Sequence, residues 1–239
     1  MTIDTESIPS FKLLRFGPSL FSATAPYSSQ LIDFLTEVIN RGYNINKQYN
    51  VITSTRIKSP EVFINDLGFY KPESFLLVLV KEGSDGEINA DVFKRIQVEA
   101  NKVEIEDVTT EFDPEKDIKI EDVLGTIGGK LYDGSDADEG EVGWELTGVT
   151  SFAKGCGSYL IGVITKLAEE AKKDFLYASV IFEHGLVGYY SRFGFVECQE
   201  KLLQQVDATG RVIGGDLEDG IYATRDFHVA FLKKQLIKR

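Results

Sequence analysis

Along the 239 residues the apolar positions change period several times, and each change marks an element. FKLLRF at 11–16 predicts a first strand, and the following GPSLFSATAP reads as a turn. From Tyr27 onward, Leu31, Phe34, Leu35, Val38 and Ile39 recur at the helical period, with Ser28 or Ser29 as the cap. SPEVFINDLGF at 59–69 predicts a shorter helix, capped by Ser59, with Pro60 in its first turn and Gly68 near its end. ESFLLVLVKE at 73–82 is a continuous apolar run of strand length, which suits a strand covered on both faces.

The next stretch, from 83 to about 121, is acid-rich and poor in large apolar residues. It is read as an insertion or mobile loop, with a helix around Ala90 to Ala100, because structureless connections this long are rare inside a domain. DVLGTIGGKLY at 122–132 and VGWELTGVTS at 142–151 form a hairpin across an acidic turn. A helix follows on which Tyr159, Leu160, Val163, Ile164, Leu167 and Ala168 share a face. FLYASVIFE at 175–183 predicts a buried strand, HGLVGYYSRFGF at 184–195 a short helix closed by Gly194, and FVECQEKLLQQ another strand. After the glycine-rich VDATGRVIGGDLEDG, IYATRDFHVAFLKKQL ends the chain as a last strand. No repeat and no linker divides this series, so residues 1–239 are expected to form one α/β domain.

Composition narrows the function. With 43% hydrophobic residues there is enough for a core, which excludes disorder of the whole chain. An excess of 38 acidic over 26 basic residues, a formal charge of −12, argues against nucleic acid or anionic lipid as partner and leans toward a cationic one. The two cysteines, Cys156 and Cys198, give neither a disulfide framework nor a zinc site, so no metal is expected. The first sixteen residues carry acids where a signal peptide needs bases, which reads as cytoplasmic or nuclear.

The chemistry concentrates at Lys154-Gly155-Cys156-Gly157-Ser158-Tyr159-Leu160, where a strand passes through two glycines into a helix. A helix start offers unpaired amides and a positive dipole end, which suit a phosphate. Leu160 stands where a dinucleotide fingerprint needs its third glycine, and no Gly-Lys-Ser/Thr of a Walker loop is present, so a different diphosphate ligand is wanted. A second motif follows one helix and one strand later, Tyr190-Ser191-Arg192-Phe193-Gly194-Phe195.

Together the two motifs resemble the GNAT superfamily of acetyl-CoA-dependent N-acetyltransferases. There a strand ends in Val-x-x-x-x-Arg/Gln-x-x-Gly-x-Gly/Ala and a later helix carries Tyr-x-x-x-Gly-Phe. FEHGLVGYYSRFGF looks like the arylalkylamine N-acetyltransferase branch, with Glu183 where many members place Asn. The resemblance covers about residues 122–200. It implies a GNAT (acyl-CoA N-acyltransferase) fold, a central mixed, mostly antiparallel twisted sheet flanked by helices. It also implies acetyl-CoA as co-substrate and direct transfer to an amine in a ternary complex. The acceptor would be a small amine, a polyamine, or a lysine or N-terminal amine.

By the same resemblance, the pantetheine arm would lie along the backbone of Leu146, Thr147 and Val149. The pyrophosphate would sit on Lys154, Gly155, Cys156, Gly157, Ser158 and Tyr159. Phe152 stands where Arg or Gln is usual, so that grip would rest on backbone donors aided by the Lys154 charge. Tyr190 aligns with the general acid toward the departing thiolate, and Tyr189 is read as core. Strand alternation puts Glu145 on the face of Gly143 and Glu141. Glu145 is the first choice of general base, acting directly or through water, with Glu141 second. His184 and His228 are read as structural, and Cys156 as a small loop residue rather than a nucleophile. The rival expectations are a non-catalytic acyl-CoA-binding module and an interaction protein that uses only the scaffold.

Overall fold

A computed structural model of the chain describes residues 10–83, 88–98, 104–134, 140–213 and 220–236. The elements, in chain order, are β1 (Ser10–Phe16), α1 (Ser28–Ile45), α2 (Pro60–Asp66), β2 (Phe75–Glu82), α3 (Ala90–Val98), β3 (Ile105–Asp107) and α4 (Pro114–Asp117). They continue with β4 (Val123–Leu131), β5 (Gly143–Ser151), α5 (Cys156–Glu170), β6 (Phe175–Ile181), α6 (Leu186–Ser191), β7 (Val196–Glu197), β8 (Leu202–Val206), β9 (Val212–Ile213) and β10 (Phe227–Gln235).

Because Phe75 to Val80 are buried on alternate sides without a break, β2 has to lie inside a sheet covered on both faces. The strands run in the order β3-β1-β2-β4-β5-β6-β10-β8-β9, with β7 added against β10. Pairing is antiparallel except for β1 with β3 and β5 with β6. This mixed, mostly antiparallel sheet with helices on both faces is the GNAT architecture that the two motifs imply. On one face α3, α5 and α6 close a core around Leu77, Phe93, Leu160, Ile164 and Phe195. On the other, α1 and α2 close a second around Phe16, Leu35, Phe63 and Leu76. A third cluster, Val51, Ala223, Phe227 and Val229, covers that second face beyond β6.

Several elements differ from the sequence reading for local reasons. Ser59 caps α2 as expected, its Oγ accepting the Val62 N–H at 3.2 Å, whereas α1 begins at Ser28 behind Tyr27 with no side-chain cap. The tail strand from Phe195 divides into β7 and β8, and the glycine-rich excursion holds β9. The acidic stretch contributes α3, whose Val92, Phe93 and Ile96 are buried in the first core, and β3, which extends the sheet beyond β1. Three apolar residues on one helical face suffice for that docking, although the acids around them hide the pattern. Residues 84–87 and 99–103 of the stretch fall outside the described residues.

Candidate functional site

β5 and β6 run side by side only from Gly143↔Phe175 to Glu145↔Tyr177 and then part. The β5 edge beyond Glu145 therefore faces an opening instead of a neighbouring strand, and an unpaired edge offers a row of backbone donors and acceptors. A bulge sharpens the split. Register slips between Thr126 and Gly128, and Gly148 takes a positive φ of 55°, a conformation that favours glycine. Buried Thr126 braces it, its hydroxyl donating to the Gly148 carbonyl.

A cavity of about 670 Å³ passes through this opening. Leu146, Thr147, Val149, Lys154, Gly155, Gly157 and Ser158 line it, and so do Glu145 and Tyr190. Cys156 and Tyr159, expected with them, turn the other way. Cys156 is buried against the sheet, where a Cβ on Gly125 would come within 2.7 Å of its sulfur, and burial pushes its thiol up to about 12, which suits packing and not nucleophilic attack. The Tyr159 ring packs on Phe93 at 5.9 Å, and burial pushes its hydroxyl up to about 12.

The glycine notch is more heavily furnished than the sequence suggests. The Cys156 N–H donates to the Ala153 carbonyl at 3.1 Å, Tyr159 N–H to Gly155 at 3.0 Å, and Gly157 N–H to Ser151 Oγ at 3.1 Å. That leaves the amides of Lys154, Gly155 and Ser158 without an acceptor among the described residues. Both glycines also have packing reasons. Gly155 caps α5 with φ of 95°, and a Cβ there would lie 3.1 Å from Ala90 Cα and 3.2 Å from the Phe93 ring. A Cβ on Gly157 would lie 2.7 Å from the Tyr189 hydroxyl, which also bonds the Ser158 hydroxyl. Tyr189, read from sequence as core, is a half-buried wall of the notch.

Two phenols stand at the split. Tyr190 is buried on α6 with its ring edge-on to Phe195 at 5.4 Å, and burial raises its hydroxyl above the ordinary tyrosine value. Tyr43, from the last turn of α1, was not singled out by the sequence. Burial raises it also, and the Val149 amide at the bulge offsets a little of that, which puts the two close together. Tyr43 adds to the upward shift of Tyr190, which marks the two phenols as neighbours.

Glu145 lies across from Lys130 at 3.4 Å. Burial raises its carboxyl above the usual range, Lys130 offsets part of that, and the charges of Asp66 and Asp133 add to it. Asp66, nearly buried, pairs with Arg56, and its backbone carbonyl accepts from the Thr147 hydroxyl at 3.0 Å. Glu141 is drawn elsewhere, its side chain 3% exposed and held by Lys233 at 2.7 Å and Gln235 at 3.0 Å. Glu183 accepts both the backbone N–H and the ring Nδ1 of His228, at 3.0 and 2.9 Å, and these bonds hold its carboxyl below the usual range against the opposing effect of burial. His184 is buried and stacked on Tyr49, and desolvation lowers its pKa, so the ring is neutral at neutral pH.

The acidic excess does not reach this cavity. Its walls carry Lys47, Arg56, Lys130 and Lys154 against Asp66 and Glu145, so the total charge does not describe this wall. Asp133 of the acidic turn is paired with Lys71 at 2.5 Å. Among the described residues no three His, Cys, Asp or Glu gather as a metal site, and no helix is long and apolar enough to cross a membrane.

The family model described as "Sporulation protein RMD6" matches residues 19–236. Sporulation protein RMD6 of Saccharomyces cerevisiae is 30% identical over 217 residues, covering 84% of this chain and 87% of that one. Among solved structures, an N-acetyltransferase of Staphylococcus aureus Mu50 is 10% identical with a TM-score of 0.47, covering 96% of this chain and 99% of its own. The yncA protein of Salmonella typhimurium, solved with its cofactor acetyl-CoA, is 13% identical with a TM-score of 0.47, covering 96% of this chain and 95% of its own.

Proposed function

The chain belongs to the family of sporulation protein RMD6, and we propose that it is an N-acetyltransferase that carries acetyl from acetyl-CoA to an amine by direct attack. The observation that carries this reading is that the parted strands, the notch before α5, Glu145 and Tyr190 all open into one cavity. The chain's residues suit the co-substrate. The free β5 edge matches the amide-bearing pantetheine arm, and the remaining amides at Lys154, Gly155 and Ser158, with the exposed Lys154 charge, suit a diphosphate.

Acyl transfer to an amine needs a deprotonated nucleophile, a polarised carbonyl and a stabilised thiolate. Glu145 takes the amine's proton. The Val149 N–H, near the Tyr43 hydroxyl, polarises the thioester oxygen. Tyr190 meets the thiolate. Its raised pKa keeps the phenol protonated, and an ordinary thiol near about 8.5 is the stronger acid, so Tyr190 acts chiefly by donating a hydrogen bond as negative charge gathers on sulfur. The Gly157 amide, engaged by Ser151, favours one rival, a module that binds acyl-CoA without turning it over.

A coupled thiol-release assay across a panel of amines decides between them. Saturable release with at least one amine is expected. Binding of acetyl-CoA without release on any acceptor supports the module, and failure of millimolar acetyl-CoA to raise the melting temperature overturns both readings.

Within that assay, kcat/KM is expected to rise with pH along a limb set by Glu145. A base works only when deprotonated, and burial lifts this carboxyl, so the limb lies above the usual glutamate range, fading as pH falls through it. Glu145→Gln is expected to remove the limb and to lower the plateau by about two to four orders of magnitude. A variant that keeps the wild-type limb moves the base elsewhere.

A further inference from the structure

Past β6 the cavity continues across β10 to β8, on the face that carries Glu145. Residues opposite one another on antiparallel strands share a face. The pairs Ser179↔Phe231, Ile181↔Val229 and Phe227↔Gln204 thus carry this face from the split out to Gln204. Gln204 is 0% exposed, lines the cavity, and has no hydrogen-bond partner among the described residues on either Oε1 or Nε2. His184, 7% exposed, lines it as well, and its Nε2 has no partner among the described residues.

A buried polar group without a partner costs its full desolvation, so one that lines a cavity takes its partner from water or from a bound ligand that displaces the water. Gln204 offers one acceptor and one donor side by side. An ammonium brings donors only, a carboxylate acceptors only, and an alkyl chain neither. A second amide brings both. The surroundings agree, since Val229 and Phe231 are apolar and the cavity's acids, Asp66 and Glu145, lie beside basic partners at its β5 end.

Spacing sets where that amide lies in the acceptor. Neighbouring strands are about 4.8 Å apart, which puts Gln204 about 10 Å across the face from β6, and the pairs Ile181↔Val229 and Phe227↔Gln204 set it two residues further along the strands, about 12 Å in all from the end of β6. An extended chain covers about 3.3 Å per residue, so this is a reach of about three to four residues.

We propose, building on the acyl-transfer reading above, that Gln204 binds a peptide amide about three to four residues from the split, and that the acceptor is a peptide and not a polyamine or simple alkylamine. His184 Nε2 is a second hydrogen-bonding point on the same segment. The amine itself is either the peptide's N-terminus or a lysine side chain within it.

Calorimetric titration, with and without saturating coenzyme A, tests this without any turnover. The probes are trialanine amide, N-acetyl-lysine methylamide and spermidine. At least one of the two peptides is expected to bind about tenfold or more tightly than spermidine, and which one identifies the source of the amine. Gln204→Leu is expected to weaken that peptide by about tenfold while leaving spermidine and coenzyme A unchanged and the melting temperature no lower. If Gln204→Leu does not fold, Gln204→Asn, which draws the amide back by one methylene, and His184→Phe, which keeps the ring stack, give the same reading. Peptide binding untouched by these changes, or lost in parallel with spermidine, overturns the proposal. Peptide binding that depends on Gln204, without acetylation of the peptide, counts against the acyl-transfer reading alone.

Discussion

Phenylalanine at position 190 is expected to lower kcat by about one to three orders of magnitude while leaving the KM for acetyl-CoA nearly unchanged. The substitution removes one oxygen and keeps the ring that packs edge-on against Phe195, so folding is little disturbed. Burial holds the phenol protonated through the working pH range, and this effect is therefore expected to be flat with pH, in contrast to the sloping limb of Glu145. Single-turnover thiol release at saturating amine gives the chemical step directly. Full activity in Tyr190→Phe removes this hydroxyl from the mechanism and shifts attention to Tyr43, the other phenol at the split.

What could be read in the sequence was whatever is local. The apolar run of β2, the hairpin of β4 and β5 and the glycine turn into α5 each depend on a few neighbouring residues, and period and turn chemistry reveal them. The parts of the candidate site that went unread are made by distant segments meeting. Tyr43 looks like one more residue at the polar end of α1 until the bulge brings the Val149 amide to it. Ser151 looks like a strand end until its hydroxyl closes on Gly157. Gln204 lies in a segment whose pattern says only strand, and its burial follows from a strand order in which β10, the last strand in the chain, lies between β6 and β8. Total charge says little about the cavity for a related reason. Acids were counted along the chain, whereas the cavity wall draws together residues of both signs from α2, β4 and β5 and the segments joining them.

The largest expected effect on stability belongs to the stretch whose composition suggested a mobile loop. Phe93→Ala is expected to cost about 3–5 kcal/mol, the range for truncating a large aromatic in a core. Phe93 is 1% exposed, and its ring lies 6.0 Å from Phe11 and 5.9 Å from Tyr159, which ties α3 to both β1 and α5. A domain of ordinary stability has about 5–15 kcal/mol in all, so the loss is a large share of the total and urea unfolding will register it as a lower midpoint. A residue in a solvated insertion would change stability by no more than about 0.5 kcal/mol, so the two readings are separated by several-fold. Phe93 also backs Gly155, whose left-handed backbone starts α5. Under conditions where the variant stays folded, weaker coenzyme A binding is therefore expected along with the lost stability. A midpoint equal to that of the wild type would detach α3 from the core and remove its support for the notch.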